Sequence, residues 1–372
     1  MRPRSSCVTL LWLVVLATVA TSGCRRTQDP APPLPPVVPA EQLRETDVLP
    51  HTAGKIIPGR NYVYCATFQL AWNTLEQGVI GEPIRLSGSP QMLADLRQAP
   101  KPREQDFPPG SYLAKAGWVR DGIVDQIRAE MNKRFPKATF QLPVGASEQA
   151  AVVYAYLQRS LPFREAFDLL DEVLVFKAKG GDVRVVVFGF YRLTPSPRDH
   201  ALRSQVTVLD HVDNDNFVLR LNTTVEDDEL VLAKVAPEPT LQATLSGVLR
   251  RAAATAKDRS ARVEDNEPLV VPVINVGAIR RYAELEGRAF ENPKLSGAEL
   301  SVASQGIRFR LDQTGARLES DAYVAVKSGE PPKPRQFIFD KPFLVYLKRK
   351  SSEVPYFAIW VETAEVLERY TE

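Results

Sequence analysis

Three histidines, three cysteines and one acidic cluster are the side chains of this 372-residue chain that invite a chemical reading. The histidines are His51, His200 and His211; the cysteines are Cys7, Cys24 and Cys65. Such scarcity argues against a Cys/His zinc centre and against a histidine-based enzyme. The chain contains no Gly-x-Ser-x-Gly, His-Glu-x-x-His, P-loop or Gly-x-Gly-x-x-Gly. The acidic cluster is Asp210-His-Val-Asp-Asn-Asp-Asn216. A calcium loop alternates acids and then needs a Gly and a distal Glu. Here Asp213 and Asp215 alternate, but Phe217 and Leu219 follow, so a solvated hairpin turn is expected. His211 and Asp213 could be read as a catalytic pair, yet no nucleophile is marked near them, and a turn histidine is the expectation. The chain is therefore read as no enzyme, without cofactor or metal.

Lys+Arg minus Asp+Glu is 47 − 45 = +2, which leaves no electrostatic footprint for nucleic acid. Hydrophobic residues at 44% and charged residues at 25% exclude wholesale disorder. Arg2 and Arg4 precede an apolar run from Val8 to Ala20, which fits a signal-peptide core and is short for a bilayer span. Thr21-Ser-Gly-Cys24 then resembles a bacterial lipoprotein processing box, with Thr21 in place of the usual Leu. The expectation is a signal peptide over 1–23, lipidation of Cys24, and attachment through its lipid to the outer membrane or periplasmic face of an envelope. Residues 30–39 hold six prolines, so 24–57 is read as an extended tether that lifts a body spanning 58–372. With Cys24 lipidated and Cys7 removed, Cys65 has no disulfide partner within the chain, and the core must hold the body together.

Periodicity places helices at 68–77, 90–97, 122–135, 147–171 (interrupted near Pro162) and 240–256. Strands are expected at 173–176, 183–190, 204–209, 217–225, 230–235, 269–276, 300–311, 322–326, 337–348 and 356–363. Lys348-Arg-Lys350 is expected at an exposed hairpin tip, and Phe188, Phe190 and Tyr191 in the core. Helices mainly in the N-terminal half, with strands after them and no βαβ alternation, imply an α+β single domain.

Phe337-Ile-Phe-Asp-Lys-Pro-Phe-Leu-Val-Tyr-Leu-Lys-Arg-Lys350 followed by Tyr356-Phe-Ala-Ile-Trp-Val361 resembles the C-terminal signature of the serpin family. Val271-Pro-Val-Ile-Asn-Val-Gly-Ala-Ile-Arg-Arg-Tyr282 and Gly306-Ile-Arg-Phe-Arg-Leu-Asp-Gln-Thr-Gly315 are similar to two further serpin segments, and Asn61-Tyr-Val-Tyr-Cys65 to a fourth. Their order spans residues 55–372. The resemblance implies three β-sheets, eight or nine helices, and an exposed loop between the hinge at Gly315 and the Phe-Asp-Lys-Pro-Phe strand that opens at Phe339. In inhibitory members a serine peptidase cleaves that loop, which then inserts as a central strand of the main sheet and deforms the trapped acyl-enzyme. Family spacing places the scissile bond at Lys327-Ser328, which suits a trypsin-like serine peptidase.

The chain departs from the family pattern in two places. The hinge reads Ala316-Arg-Leu-Glu-Ser-Asp321 where Thr-Glu and several Ala are usual, and Cys65, Ala66 and Phe68 stand where the family has Ser, Pro and Ser. By period two, however, Ala316, Leu318, Ser320, Ala322, Val324 and Val326 share one edge, while Arg317, Glu319, Asp321, Tyr323 and Lys327 share the other. Burying Leu318, Val324 and Val326 contributes roughly 1.5–3 kcal/mol each, whereas the opposite parity buries unpaired charge. Two readings stand. One is a membrane-tethered, monomeric peptidase inhibitor; the other is a non-inhibitory envelope lipoprotein that uses the same fold as a binding or scaffolding body.

Overall fold

The computed structural model describes residues 34–136, 138, 140, 147–191, 196–254, 262–315 and 335–371. Its strands are β1 (Val38–Pro39), β2 (Thr46–Leu49), β3 (Asn61–Cys65), β4 (Tyr112–Trp118), β5 (Ala150–Leu157), β6 (Asp168–Ala178), β7 (Gly181–Phe190), β8 (Val206–Asp213), β9 (Asn216–Leu221), β10 (Asp228–Lys234), β11 (Leu269–Pro272), β12 (Ile274–Arg281), β13 (Arg288–Ala289), β14 (Glu299–Leu311), β15 (Phe337–Ile338), β16 (Phe343–Arg349) and β17 (Phe357–Val361). Its α-helices are α1 (Thr67–Asn73), α2 (Gln91–Gln98), α3 (Ile123–Arg134), α4 (Pro197–Ser204) and α5 (Leu241–Ala254). Among the described residues there are thus five α-helices, fewer than the eight or nine that the resemblance implies. None is long and apolar enough to cross a membrane.

The described strands form three sheets, and the fold is α+β. The main sheet runs β1-β12-β14-β5-β4, with β13 on β14; the second runs β2-β3-β17-β16-β10-β9-β8; the third runs β15-β11-β7-β6. In the interior of the main sheet the β12/β14 and β5/β4 pairs are antiparallel, whereas β14 and β5 are parallel. That parallel seam pairs Glu299 with Ala150 and ends with Gly306 opposite Tyr156.

Helices cover the seam from both sides. Ile123, Ile127 and Met131 of α3 recur every four residues and are buried. They pack on Leu113, Val152, Tyr154 and Tyr156. The alternate residues Ala151, Val153 and Ala155 face Phe68, Ala71 and Trp72 of α1. Odd and even positions of a strand face opposite ways, so α1 and α3 lie on opposite faces of β5. All eight residues of β5 are buried. A strand covered on both faces loses its polar alternation. That is why the sequence reading takes 147–171 for a helix: Val152, Tyr156, Phe163 and Phe167 fall on a four-residue period by accident, and the segment is β5 followed by the start of β6.

Four other expectations are corrected. The tether does not extend to residue 57, because Val38 pairs with Ala278 and Thr46–Leu49 pairs in parallel with β3. The expected strand 269–276 divides at the buried Val273 into β11 of the third sheet and β12 of the main sheet. The expected strand 337–348 divides likewise at Asp340-Lys-Pro342 into β15 and β16. Lys348 is no exposed tip residue, for its ammonium donates to the carbonyl of Ser352 and pairs with Glu229 at 2.8 Å. Helix α4 was legible but missed: Ser196 caps it by accepting from the Asp199 amide at 3.1 Å, and Pro197 occupies its first position.

His51 and His211 are held below the ordinary histidine range, His51 by burial and by Arg280, and His211 by burial and by Arg335. The unfolded chain therefore binds more protons just below pH 6.5, and stability falls as the pH drops through that value. Replacing His51 by Gln is expected to flatten the acid side of a urea-stability profile between pH 6.5 and 5; an unchanged slope would contradict this assignment.

Candidate functional site

The segment between β14 and β15 joins the main sheet to the third sheet, and both of its feet are pinned. At the first foot the chain reverses over Asp312–Gly315. The Asp312 amide donates to the Gly315 carbonyl at 2.9 Å, and the Gly315 amide donates back at 3.2 Å. The Asp312 side chain is fully buried, and it accepts from the Thr314 amide at 3.0 Å, the Thr314 hydroxyl at 2.9 Å and Arg310 Nε at 2.8 Å. A short acidic side chain that accepts from the backbone two residues on is the local signal for this turn.

The turn docks on the chain that leaves β5. The Phe163 amide donates to the Thr314 carbonyl at 2.8 Å, and the Phe167 amide donates to the Gln313 carbonyl at 2.7 Å. Gly315 forms antiparallel bridges with both Asp312 and Pro162. It therefore stands in the lane between the continuations of β14 and β5, antiparallel to each. Its φ is +123°, and a Cβ would lie 2.4 Å from the Leu161 carbonyl oxygen and 2.6 Å from Pro162 Cα. Only glycine meets both conditions. From Ile307 to Leu311, β14 has no ladder partner on that flank among the described residues.

At the second foot Arg335 grips Glu267 with two bonds, at 2.6 and 2.8 Å, and the Gln336 amide donates to Asn214 Oδ1 at 3.0 Å. Phe337 then pairs in parallel with Leu269. Lys234, 3% exposed, fastens the end of β15 and the turn beyond it: its ammonium meets Asp340 at 2.6 Å, Asp215 at 2.8 Å, the Ile338 carbonyl at 2.9 Å and the Asn214 carbonyl at 3.1 Å. Lys341 adds a second bond to Asp215 at 2.6 Å. Together Lys234 and Lys341 hold the Asp215 carboxyl at about 2. Asp213 accepts from the Asp215 amide, and Asp210 and Asn216 bind Arg251. The acidic cluster of the sequence is thus a hairpin in which Asp215 serves the second foot, while Asp210 holds α5 through Arg251 and Asp213 closes the turn.

A third polar knot lies beneath the seam. Gln305 of β14 is fully buried, and its amide donates to the Cys65 carbonyl at 2.9 Å and to Thr67 Oγ1 at 3.0 Å. It also accepts from the Tyr282 hydroxyl at 2.9 Å. Cys65 Sγ and Thr67 Oγ1 lie 3.1 Å apart, and burial pushes the Cys65 thiol up to about 11, which leaves it protonated and inert. Phe68 packs against Tyr282 with centroids 4.0 Å apart and ring planes tilted by 41°. At Cys65, Ala66 and Phe68 the departures from the serpin pattern are therefore filled by packing, while Thr67 and Gln305 carry the hydrogen bonds; the departing hinge residues 316–321 lie outside the described residues.

Of the residues singled out in the sequence, Gly315 stands at the first foot. Ala316, Leu318, Ser320, Ala322, Val324, Val326, Lys327 and Ser328 lie outside the described residues, as does Cys24. His211 stacks over Phe217 and meets Phe337 edge-on, a packing role beside the second foot. Sequence reasoning missed Asp312, Gln305, Thr67 and Lys234. Asp312-x-Thr-Gly was a readable turn signal. The other three are recognisable only once distant strands meet. Among the described residues no group of three His, Cys, Asp or Glu is arranged to hold a metal.

No family model matches the chain, and no curated protein matches it. Among solved structures, the chain is similar to human glycosylated kallistatin, at 14% identity and a TM-score of 0.48, and to Manduca sexta serine protease inhibitor (serpin)-12, at 13% identity and 0.49. It is also similar to human thyroxine-binding globulin, at 12% identity and 0.47. Each match covers 82% of this chain and 92% of the other.

Lys234→Met leaves Asp340 and Asp215 without their shared cation. It is expected to lower stability by about 3 kcal/mol, read as a shift of the urea midpoint. A midpoint within ~0.5 kcal/mol of the parent would show that the second foot is not fastened there.

Proposed function

We propose that this chain is a serpin-type inhibitor of a trypsin-like serine peptidase, exported and lipid-anchored at Cys24, that offers Lys327-Ser328 as its scissile bond. The observation that carries this reading is the placement of Gly315 in the lane between two parallel strands, antiparallel to both. A strand added there replaces one parallel ladder with two antiparallel ones, and antiparallel pairing is the more stable per residue.

The register of the turn supports the parity read from the sequence. With Gly315 opposite Asp312, a continuing antiparallel ladder sets Ala316 against Leu311, Leu318 against Phe309, Ser320 against Ile307, Ala322 against Gln305 and Val324 against Ala303. Those five β14 positions are buried. Glu319 falls opposite Arg308, whose buried Nε has no hydrogen-bond partner among the described residues. Arg317 falls opposite Arg310, already held by Asp312 and Glu368. Before cleavage, the pinned feet keep the segment from reaching down the lane; cutting Lys327-Ser328 frees the first foot's strand from the second.

A second reading, the binding body, is favoured by a cavity of about 1000 Å³ between α5 and the second sheet. Leu209, Leu249 and Tyr346 line it, with Arg220 and Lys348 both turned to Glu229 on its wall. That volume is at the upper end of the ~300–1,000 Å³ range of small-molecule sites.

Incubation with trypsin separates the readings. Inhibition predicts an SDS-stable complex covalent through Lys327, lost in Lys327→Ala. It also predicts a cleaved form whose melting midpoint rises on the order of 10 °C, from roughly 5 kcal/mol of new burial. Leu318→Arg should abolish that rise. A nicked chain with no complex and an unchanged midpoint would exclude inhibition and leave the binding body.

A further inference from the structure

The outer edge of the main sheet is covered by the two ends of the described chain. Strand β12 pairs with β14 on one side. On the other side, Ile274 is bridged by Leu367, and Ala278 and Ile279 are met in parallel by Val38 and Pro39. Between these contacts the chain passes so close that a Cβ on Gly277 would lie 2.3 Å from the Pro36 carbonyl oxygen and 3.2 Å from that of Pro35. Those strap atoms are what such a Cβ would meet first, so a glycine at 277 keeps the lane clear for the strap.

One carboxylate joins the two covers. Glu365 accepts from the Arg44 amide at 2.6 Å, the Glu45 amide at 2.8 Å and the Thr46 hydroxyl at 2.6 Å. Two residues later Leu367 makes its bridge to Ile274. Arg280 of β12 also donates to the Val48 carbonyl at 2.6 Å. Residues 34–39 themselves hold only a two-residue ladder, and Pro36 and Pro39 bring no amide donor to it. A proline-bearing strip of this kind covers a β-edge without offering the next edge in turn.

We propose that residues 34–46, clamped by Glu365, guard β12 against strand addition, and that the partner they exclude is β12 of a second copy of this chain. With the strap lifted, the row from Asn275 to Arg281 presents unpaired amides and carbonyls in an extended strand. An identical edge, turned by a two-fold axis, is antiparallel to it and self-complementary, which closes a dimer through one continuous sheet. The inference is independent of the peptidase reading, since it concerns the opposite flank of the main sheet from the seam.

Two variants lift the strap from different sides. Gly277→Val collides with the Pro36 carbonyl, and Glu365→Ala removes the clamp without touching β12. Light scattering after size exclusion, over a hundredfold range of concentration, would be read beside hydrogen exchange of the strap amides of Val37 and Val38. Both variants are expected to show at least tenfold faster exchange at those amides and a dimer that grows with concentration, while the parent stays a monomer. Fast exchange without association would overturn the guard. Unchanged exchange in both variants would overturn the assignment of Gly277 and Glu365 as its seat. Should Gly277→Val lose its circular dichroism signal, Glu365→Ala alone decides.

Discussion

The parallel contact between β14 and β5 organises the rest of the molecule. Strands of like direction cannot be joined by a hairpin, so each arrives in the sheet from a different part of the chain, one from 150–157 and one from 299–311. Helices α1 and α3 press on the pair from opposite faces. The chain leaving β14 is turned back by the Asp312 carboxylate, and Gly315 stands between the two strands beyond the end of their ladder. Parallel pairing is slightly less stable per residue than antiparallel, and here the seam is held by packing at its middle and by a turn at its end.

The buried polar groups mark where independently formed pieces are fastened. Gln305 ties β14 to the start of α1, Asp312 ties the end of β14 to the turn, and Lys234 ties the β15–β16 turn to the β8–β9 hairpin; the half-buried Glu365 ties the first and last described segments to each other. Gln305, Asp312 and Lys234 are out of water, so each must be matched in full, because an unmatched buried donor or acceptor costs about 1–3 kcal/mol and an unmatched charge more. Matching of that kind resists sliding in a way that hydrophobic contact does not, since a displacement of one residue leaves all the partners unmet. The feet of the β14–β15 segment are therefore rigid, whatever the segment between them does.

Where local pattern and environment agree, the sequence was readable. Helix α3 shows its four-residue period because only one face is covered, and the β6–β7 hairpin shows its turn because Gly181 needs a left-handed backbone, at φ +124°. Reading failed where burial removed the pattern. Strand β5 is covered on both faces and carries no alternation. Strands β1 and β2 sit in a proline-bearing stretch whose composition alone argues for an extended tether. The stretch is indeed extended, but it lies against two sheet edges. The run 269–281 is one apolar stretch, and nothing local says that it changes sheets at Val273.

By itself the sequence determined the α+β class, the alternation of residue types over 316–326, the glycine at 315 and the absence of the known catalytic motifs. These are local matters of residue type and spacing. Tertiary structure alone decided that Gly315 stands between two parallel strands, that Gln305 meets Thr67 from 238 residues away, and that Glu365 closes on Arg44 across 321. Contacts of that separation depend on which surfaces the whole chain leaves to be covered, and no short window of sequence contains that information.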